Sequence, residues 1–392
     1  MTADTEAQPP AAERVSLLVI AREWGRIGCI GFGGPPAHIA LLRQLCVQRR
    51  GWMSSSEFED GVAATNLLPG PASTQLAIFC AWRLAGTAGA LVGGLCFIVP
   101  GLIVILGLSE LFLAHAPPTW VTGAAAGAGA AVPAVAVSAA VGLIPASWQR
   151  AGAAVTGRSR WIAYLIAGAL AADLAGEFVV AVLVGCGLAE LLVRRPPARV
   201  AANAWLAPLV STAAPAVGGL ASLAWVAIKV GALSFGGGFV IIPLMQHDAV
   251  HTYHWMTGPQ FLSAVALGQV TPGPVVQTVA AVGYAAAGIG GGLLAAAIAF
   301  APSFAFVLAG GRHFDRFRAN ERAQAFLAGA GPAAIGAIGG AAVTLGLALT
   351  HGWQIAVLAA ALAWLVLLRR GVVPAILGAA AIGIALALAG VG

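Results

Sequence analysis

Two short stretches interrupt an otherwise apolar chain with residues able to hold an ion: "NLLPGPAST", Asn66 to Thr74, and "QVTPGPVVQ", Gln269 to Gln277. Proline lacks an amide donor and glycine adds backbone freedom, so Pro69-Gly70-Pro71 and Pro272-Gly273-Pro274 cannot continue a helix. A helix starting just after such a break points unpaired amides, and about half a positive charge, at whatever precedes it. Several such starts converging on one cavity make an anion site from backbone alone. Asn66 and Gln269, Thr74 and Gln277 flank the breaks and add adaptable hydrogen bonds. A second kind of break, Phe32-Gly33-Gly34 and Phe235-Gly236-Gly237, precedes each of the first. Arg26 and Lys229 stand at equal distances before those phenylalanines, and Lys229 is the only lysine in the chain. A charge near the centre of a span costs about 2.5 to 3.5 kcal/mol. A basic residue at both places therefore suits recognition of a multiply charged anion, with snorkelling to an interface as the plainer reading.

Rival chemistry is thinner. His247, His251 and His254 fall at i, i+4, i+7 with Asp248 beside them, a spacing that could hold zinc and would make a membrane metalloenzyme. An exposed polar turn is the plainer reading. No His-Glu-x-x-His, no Gly-x-Ser-x-Gly and no phosphate loop occurs, so neither an enzyme nor a metal or other cofactor is expected. Glu57, Glu59 and Asp60 read as a solvated first turn after the capping serines Ser54 to Ser56. Asp173 and Glu177 mark a turn between two spans, and Glu110 and Glu190 lie near span ends. With no buried carboxylate in view, proton coupling finds no support.

The elements that would position these residues are membrane helices. The chain has 392 residues, 60% hydrophobic and 9% charged, against about 25% charged in a soluble domain. Apolar stretches near or above the roughly 20 residues needed to cross a bilayer run Ala88–Ala114, Trp120–Ile144, Trp161–Val193, Trp205–Ala232, Ala286–Gly311, Ala325–Thr350, Trp353–Leu368 and Val372–Gly390. Trp161–Val193 holds two short spans turning near Asp173. Trp120, Trp148, Trp161, Trp205 and Trp353 stand at segment ends, as an interfacial belt places them. The +6 net charge comes from arginines between spans, which argues for a lipid bilayer and against nucleic acid. Five cysteines in apolar surroundings do not suggest a disulfide framework. Residues 1–14 show no cleaved-signal pattern and read as a tail.

Sliding the sequence on itself by 203 residues brings Phe32-Gly33-Gly34 onto Phe235-Gly236-Gly237, Trp52-Met53 onto Trp255-Met256, and one Pro-Gly-Pro onto the other. The expected organisation is two homologous halves, 15–193 and 205–392, joined by a basic linker, 194–204. Where one half is basic (Arg43, Arg49, Arg50; Arg150, Arg158, Arg160) the equivalent loop of the other is not, and the converse holds for Arg312, Arg316, Arg318 and Arg322. The positive-inside rule then sets equivalent loops on opposite faces, an inverted repeat of the kind secondary transporters use. The fold expected is all-α and polytopic, about 10 to 12 helices, with broken or re-entrant helices at Pro-Gly-Pro and Phe-Gly-Gly.

"IGFGGPPAHIALL" (Ile30–Leu42), "NLLPGPASTQLA" (Asn66–Ala77), "SFGGGFVIIPLM" (Ser234–Met245) and "QVTPGPVVQTVAAVGY" (Gln269–Tyr284) together resemble the chromate ion transporter family in its long, two-half form. Long members often carry an acidic residue after the first Pro-Gly-Pro. Here Ala72-Ser73 stand there, so no such role carries over. The resemblance implies chromate export across the cell membrane, conferring resistance, with sulfate or oxyanion uptake as the alternative. Inverted repeats permit a working monomer, while many such proteins form homodimers.

Overall fold

The computed structural model describes residues 15–66, 68, 70–114, 116–152, 154–174, 179–194, 219–234, 241–310 and 320–390. Among them are fourteen α-helices and no strand. The first half contains α1 (Leu17–Ile30), α2 (Pro35–Arg43), α3 (Ser55–Thr65), α4 (Ala72–Phe112), α5 (Thr119–Ala151), α6 (Val155–Leu174) and α7 (Val179–Arg194). The second contains α8 (Leu220–Leu233), α9 (Ile241–Gln246), α10 (Gly258–Val270), α11 (Thr278–Gly310), α12 (Glu321–Leu347), α13 (Gly352–Leu362) and α14 (Val372–Leu388). α2 and α9 each run on into a π-helical turn, Gln44–Arg49 and His247–Thr252. α4, α5, α12 and the segment Val275–Gly310 are long and apolar enough to cross a membrane. α6 ends at Leu174 and α7 begins at Val179, and the turn expected between them, with Glu177, lies outside the described residues. The linker 195–204 and the stretch from Trp205 to Gly218 lie outside the described residues.

Helix ends recur between halves. α1 and α8, and the two π-helical turns, start and stop at positions exactly matched residue for residue by the 203 shift. Ser54 caps α3 and Thr257 caps α10, again at that shift.

α4 and α11 are not straight rods. Each carries a non-helical pair, Ala85-Gly86 and Ala287-Gly288, with glycine φ of +62° and +64°, a region that costs an L side chain about 1–2 kcal/mol. Beyond the pair the chain doubles back. A Cβ on Gly94 would lie 2.9 Å from Ile78 Cγ1, although sixteen residues of straight helix span about 24 Å. Gly283 and Gly291 approach each other in the same way, with a Gly283 Cβ 2.5 Å from the Gly291 carbonyl oxygen. Each long helix is therefore a short arm, 72–84 or 278–286, folded antiparallel onto a long arm. Small residues let the backbones touch, the usual solution where lipid gives no hydrophobic drive between helices.

The halves interlock. α1 packs on α4 and α8 on α11, and α4 packs on α11. α5 of the first half lies against α13 and α14 of the second, while α12 lies against α6 and α7 of the first. Glycine makes these crossings close: Gly127 sits on the backbone of Ala379, Gly168 on that of Ala333, and Gly329 on that of Cys186.

Candidate anion site

The breaks meet across the halves. The Gly273 amide, in the second Pro-Gly-Pro, donates to the Gly31 carbonyl just before the first Phe-Gly-Gly, at 2.9 Å. A Cβ on Gly34 would lie 3.7 Å from Val275 Cγ2. On the reciprocal side a Cβ on Gly70 would lie 3.2 Å from the Gly231 carbonyl oxygen in α8 and 3.5 Å from Ser303 Oγ in α11. Gly70 (φ +117°) and Gly273 (φ +97°) both hold backbone that other residues rarely adopt. The third strand of the crossing is the long arm of α4. The Gln277 side-chain amide donates to the Ile98 carbonyl at 2.7 Å, and Gly101 leaves room for Pro272 and Gln277.

Helix starts at the breaks lack side-chain caps. Ser16, Ser54, Thr257 and Asn320 cap α1, α3, α10 and α12. Gly34, Pro71 and Pro274 stand at the starts of α2, α4 and the turn before α11 without such a bond. The first amide to find an i−4 carbonyl in α4 is that of Gln75, so Ala72, Ser73 and Thr74 present amides with no partner inside the helix. Val275 and Val276 do so before α11, where Gln277 makes the first bond. α2 offers less than the sequence suggests. Its first two residues are Pro35 and Pro36, so Ala37 alone supplies such an amide before His38 bonds to Gly34.

Buried polar atoms gather near these starts. Thr74 Oγ1, Gln269 Nε2, Gln277 Oε1, Ser234 Oγ and Ser303 Oγ are buried without a hydrogen-bond partner among the described residues. An unmade bond at such a group costs about 1–3 kcal/mol, so their grouping at the crossing points to a polar occupant. Asn66 differs from its counterpart Gln269: it ends α3 on the surface. Gly33 is exposed and Gly34 half-buried, whereas Gly70, Pro71, Pro272, Gly273 and Pro274 are buried. Pro69, Gly236 and Gly237 lie outside the described residues.

The fixed charges stand elsewhere. Arg26 is exposed, and Lys229 donates to Asp248 at 2.6 Å with its ammonium beside the Trp225 ring. Each lies two positions from a glycine, Gly28 or Gly231, that touches the long arm of α4 or α11. Two positions is about 200° around a helix, so both charges project away from the crossing.

Three acidic groups overturn the expectation of no buried carboxylate. Asp248 is 6% exposed and pairs with Lys229. Glu23 is buried and accepts from Arg49 and Arg50, all at 2.7 Å. Glu190, expected near an interface, is 3% exposed and holds Arg160, Arg194 and Tyr164. Sequence reading missed them because their basic partners lie 4 to 30 residues away. Nor are Glu57 and Glu59 simply solvated, since they pair with Arg83 and Arg43.

The three histidines do not share one face. His247 and His251 stay side by side in the π-helical turn, ring centroids 6.0 Å apart, while His254 follows its Tyr253 cap at φ +52° with its Nδ1 on the Val250 carbonyl at 2.9 Å. No group of metal-ligating side chains occurs among the described residues. His38 is the functional candidate that spacing rules passed over. It is fully buried at the crossing, its Nε2–H donating to the Gly31 carbonyl at 2.9 Å and its Nδ1 accepting from Ser73 Oγ at 3.2 Å. Its only sequence signal is a histidine in an apolar run just after Pro-Pro.

A polytopic all-α chain whose broken helices meet around buried, unsatisfied polar groups has the build of a membrane transporter. The chromate transporter family model matches residues 18–191 and again 221–384, and the chain belongs to that family. It is a multi-pass protein of the cell membrane and belongs to a family of transporters, not of enzymes. Among its relatives, the chromate transport protein of Cupriavidus metallidurans is 32% identical over 82% of this chain and 80% of its own. The chromate transport protein of Pseudomonas aeruginosa is 32% identical over 94% and 96%. A probable chromate transport protein of Synechococcus elongatus is 30% identical over 86% of each. No solved structure matches significantly.

Proposed function

We propose that this protein exports chromate from the cell by alternating access, driven by the membrane potential. The observation that carries this reading is the crossing of Gly31–Gly34 with Pro272–Val275, together with buried, unpartnered polar atoms beside the two Pro-Gly-Pro breaks: Thr74, Gln269 and Gln277 next to them in sequence and Ser303 against Gly70. The amides of Ala72–Thr74 and Val275–Val276, with those side chains, hold the oxyanion. Gly33, Gly34, Gly70, Gly273 and the flanking prolines Pro71, Pro272 and Pro274 keep the backbone open to it. By sequence match to Pro272, Gly33 and Gly34, Pro69, Gly236 and Gly237 take the same role. Arg26, exposed, attracts the anion rather than cradling it, and Lys229 reaches it only through its pair with Asp248. The halves are inverted and rock against one another about the crossing.

Direction follows from charge. Moving one negative charge outward down an inside-negative potential gains about 2.3 kcal/mol per 100 mV, and a dianion twice that. Uptake would have to be driven against the same term. The test is labelled chromate movement in everted vesicles at fixed voltage, with sulfate as competitor. Voltage-driven accumulation, weakly inhibited by sulfate, is the expected result. Preference for sulfate would make this an oxyanion permease, and movement of neither would remove the site assignment.

A further inference from the structure

The crossing contains one titratable side chain that the transport reading leaves without a task. His38 is 0% exposed. A carbonyl oxygen only accepts, so the bond to Gly31 fixes a hydrogen on Nε2, and in the neutral ring Nδ1 accepts from the Ser73 hydroxyl. The imidazole lies edge-on to Phe97 with ring centroids 5.1 Å apart. Its two partners are the working parts of the crossing. The Gly31 carbonyl also accepts from Gly273 of the second Pro-Gly-Pro, and Ser73 is the second residue of α4. The second half has nothing equivalent, since the 203 shift puts Ile241 at the histidine, Ser234 at Gly31 and Val276 at Ser73.

We infer that His38 is a proton-binding site coupled to the anion: when a dianion settles at the start of α4, His38 takes up a proton from solvent at Nδ1. This rests on the oxyanion reading above. Protonation requires one hydrogen bond to reverse and none to be lost. The new Nδ1–H donates to Ser73 Oγ, which keeps free lone pairs, and the serine hydrogen it displaces turns toward the anion. The bound ion gains a donor and a full positive charge, both in a low-dielectric surrounding where they count most. Without the proton, a dianion is held by partial charges alone.

No other ionisable group competes for this task. On α1 the charged residues are Arg22, Glu23 and Arg26, with Cys29 the nearest thiol; Glu23 is committed to Arg49 and Arg50. On α4 they are Arg83, paired with Glu57, and Glu110, with the thiols Cys80 and Cys96. Arg43, at the far end of His38's own helix, pairs with Glu59, and Cys46 follows in the π-helical turn. The second Pro-Gly-Pro brings none. The imidazole's polar contacts are with Gly31 and Ser73 alone among the described residues.

The test measures proton uptake with a pH dye when chromate is added to the purified full-length protein in weak buffer at pH 8, where the ion is a dianion. Wild type should take up about one proton per chromate bound, and its affinity should rise by up to about tenfold per pH unit on acidification. His38→Gln keeps a donor and an acceptor but cannot titrate; it should bind chromate with no uptake and a flat pH profile. Ser73→Ala, which deprives Nδ1–H of its acceptor, should weaken binding about tenfold, the worth of one bond to an ion, and lower the uptake. Chromate binding by wild type without proton uptake, or uptake that survives His38→Gln, would overturn the assignment while leaving the oxyanion site standing. Absence of chromate binding in wild type and both variants would remove the oxyanion site and this inference with it.

Discussion

At the residue scale, the structure separates groups that recognise an anion from groups that hold the fold. Gln277 does both. Its amide nitrogen ties the second Pro-Gly-Pro to the Ile98 carbonyl, while its oxygen has no partner. Gln277→Leu should abolish chromate movement in vesicles and lower stability by about 0.5–1.5 kcal/mol, the net worth of the buried hydrogen bond it removes. Lys229 belongs to the other class. Removing one member of a buried ion pair costs about 3–5 kcal/mol, whereas replacing both by apolar residues is often neutral. Lys229→Met or Asp248→Leu alone should lower the melting temperature in detergent more than the double variant does. If the double variant melts normally yet fails to transport, Lys229 acts on the anion as well as on Asp248. Glycine-proline breaks and the isolated lysine were legible because they violate local rules of helix and bilayer. Asp248, Glu23 and His38 were not, since their meaning lies in partners that only folding brings near.

At the element scale, the apolar runs gave the long arms of α4 and α11 nearly to their ends, and Ala72–Leu84 stood apart from Ala88–Ala114 as a piece too short to cross. The residues that make the reversal were less legible, because nothing local distinguishes a packing glycine from a turning one. What decides it is Gly86 at φ +62° together with Gly89, Gly93 and Gly94, whose missing side chains let the arms close. Gly89→Leu should therefore block export and reduce folded yield, because its side chain would enter the Ala81 backbone. A direct check uses a cysteine-free background. Ile78→Cys with Gly94→Cys should cross-link under mild oxidation, since a disulfide needs Cα atoms within about 7 Å. A continuous helix would keep them about 24 Å apart and give no product.

At the scale of the whole molecule, the family model matches the chain twice and helix ends recur at the 203-residue shift, and the orientation of one half to the other is the question these matches raise. The proposed inversion rests on arginine placement. Arg43 ends α2 and Arg49 and Arg50 follow it, whereas Gln246 to Tyr253 contain no arginine or lysine at the equivalent turn. With positive loops inside, the first turn faces the cytoplasm and the second faces out. Gln48 and His251 are matched by the shift, and both are exposed, so they report the two faces without touching the crossing. In a cysteine-free background, Gln48→Cys should react with an impermeant maleimide only in everted vesicles and His251→Cys only in right-side-out ones. Labelling of both from one side would make the repeats parallel. The rocking mechanism would then lose its basis, because exchange of conformations between inverted halves is what opens a central site to each face in turn. Opposite labelling would also fix the charge carried per cycle as the next quantity. One proton on His38 leaves a dianion with one net negative charge, so the membrane potential would still drive it outward, at about 2.3 kcal/mol per 100 mV. Export by the His38→Gln variant should then depend about twice as steeply on voltage as export by wild type.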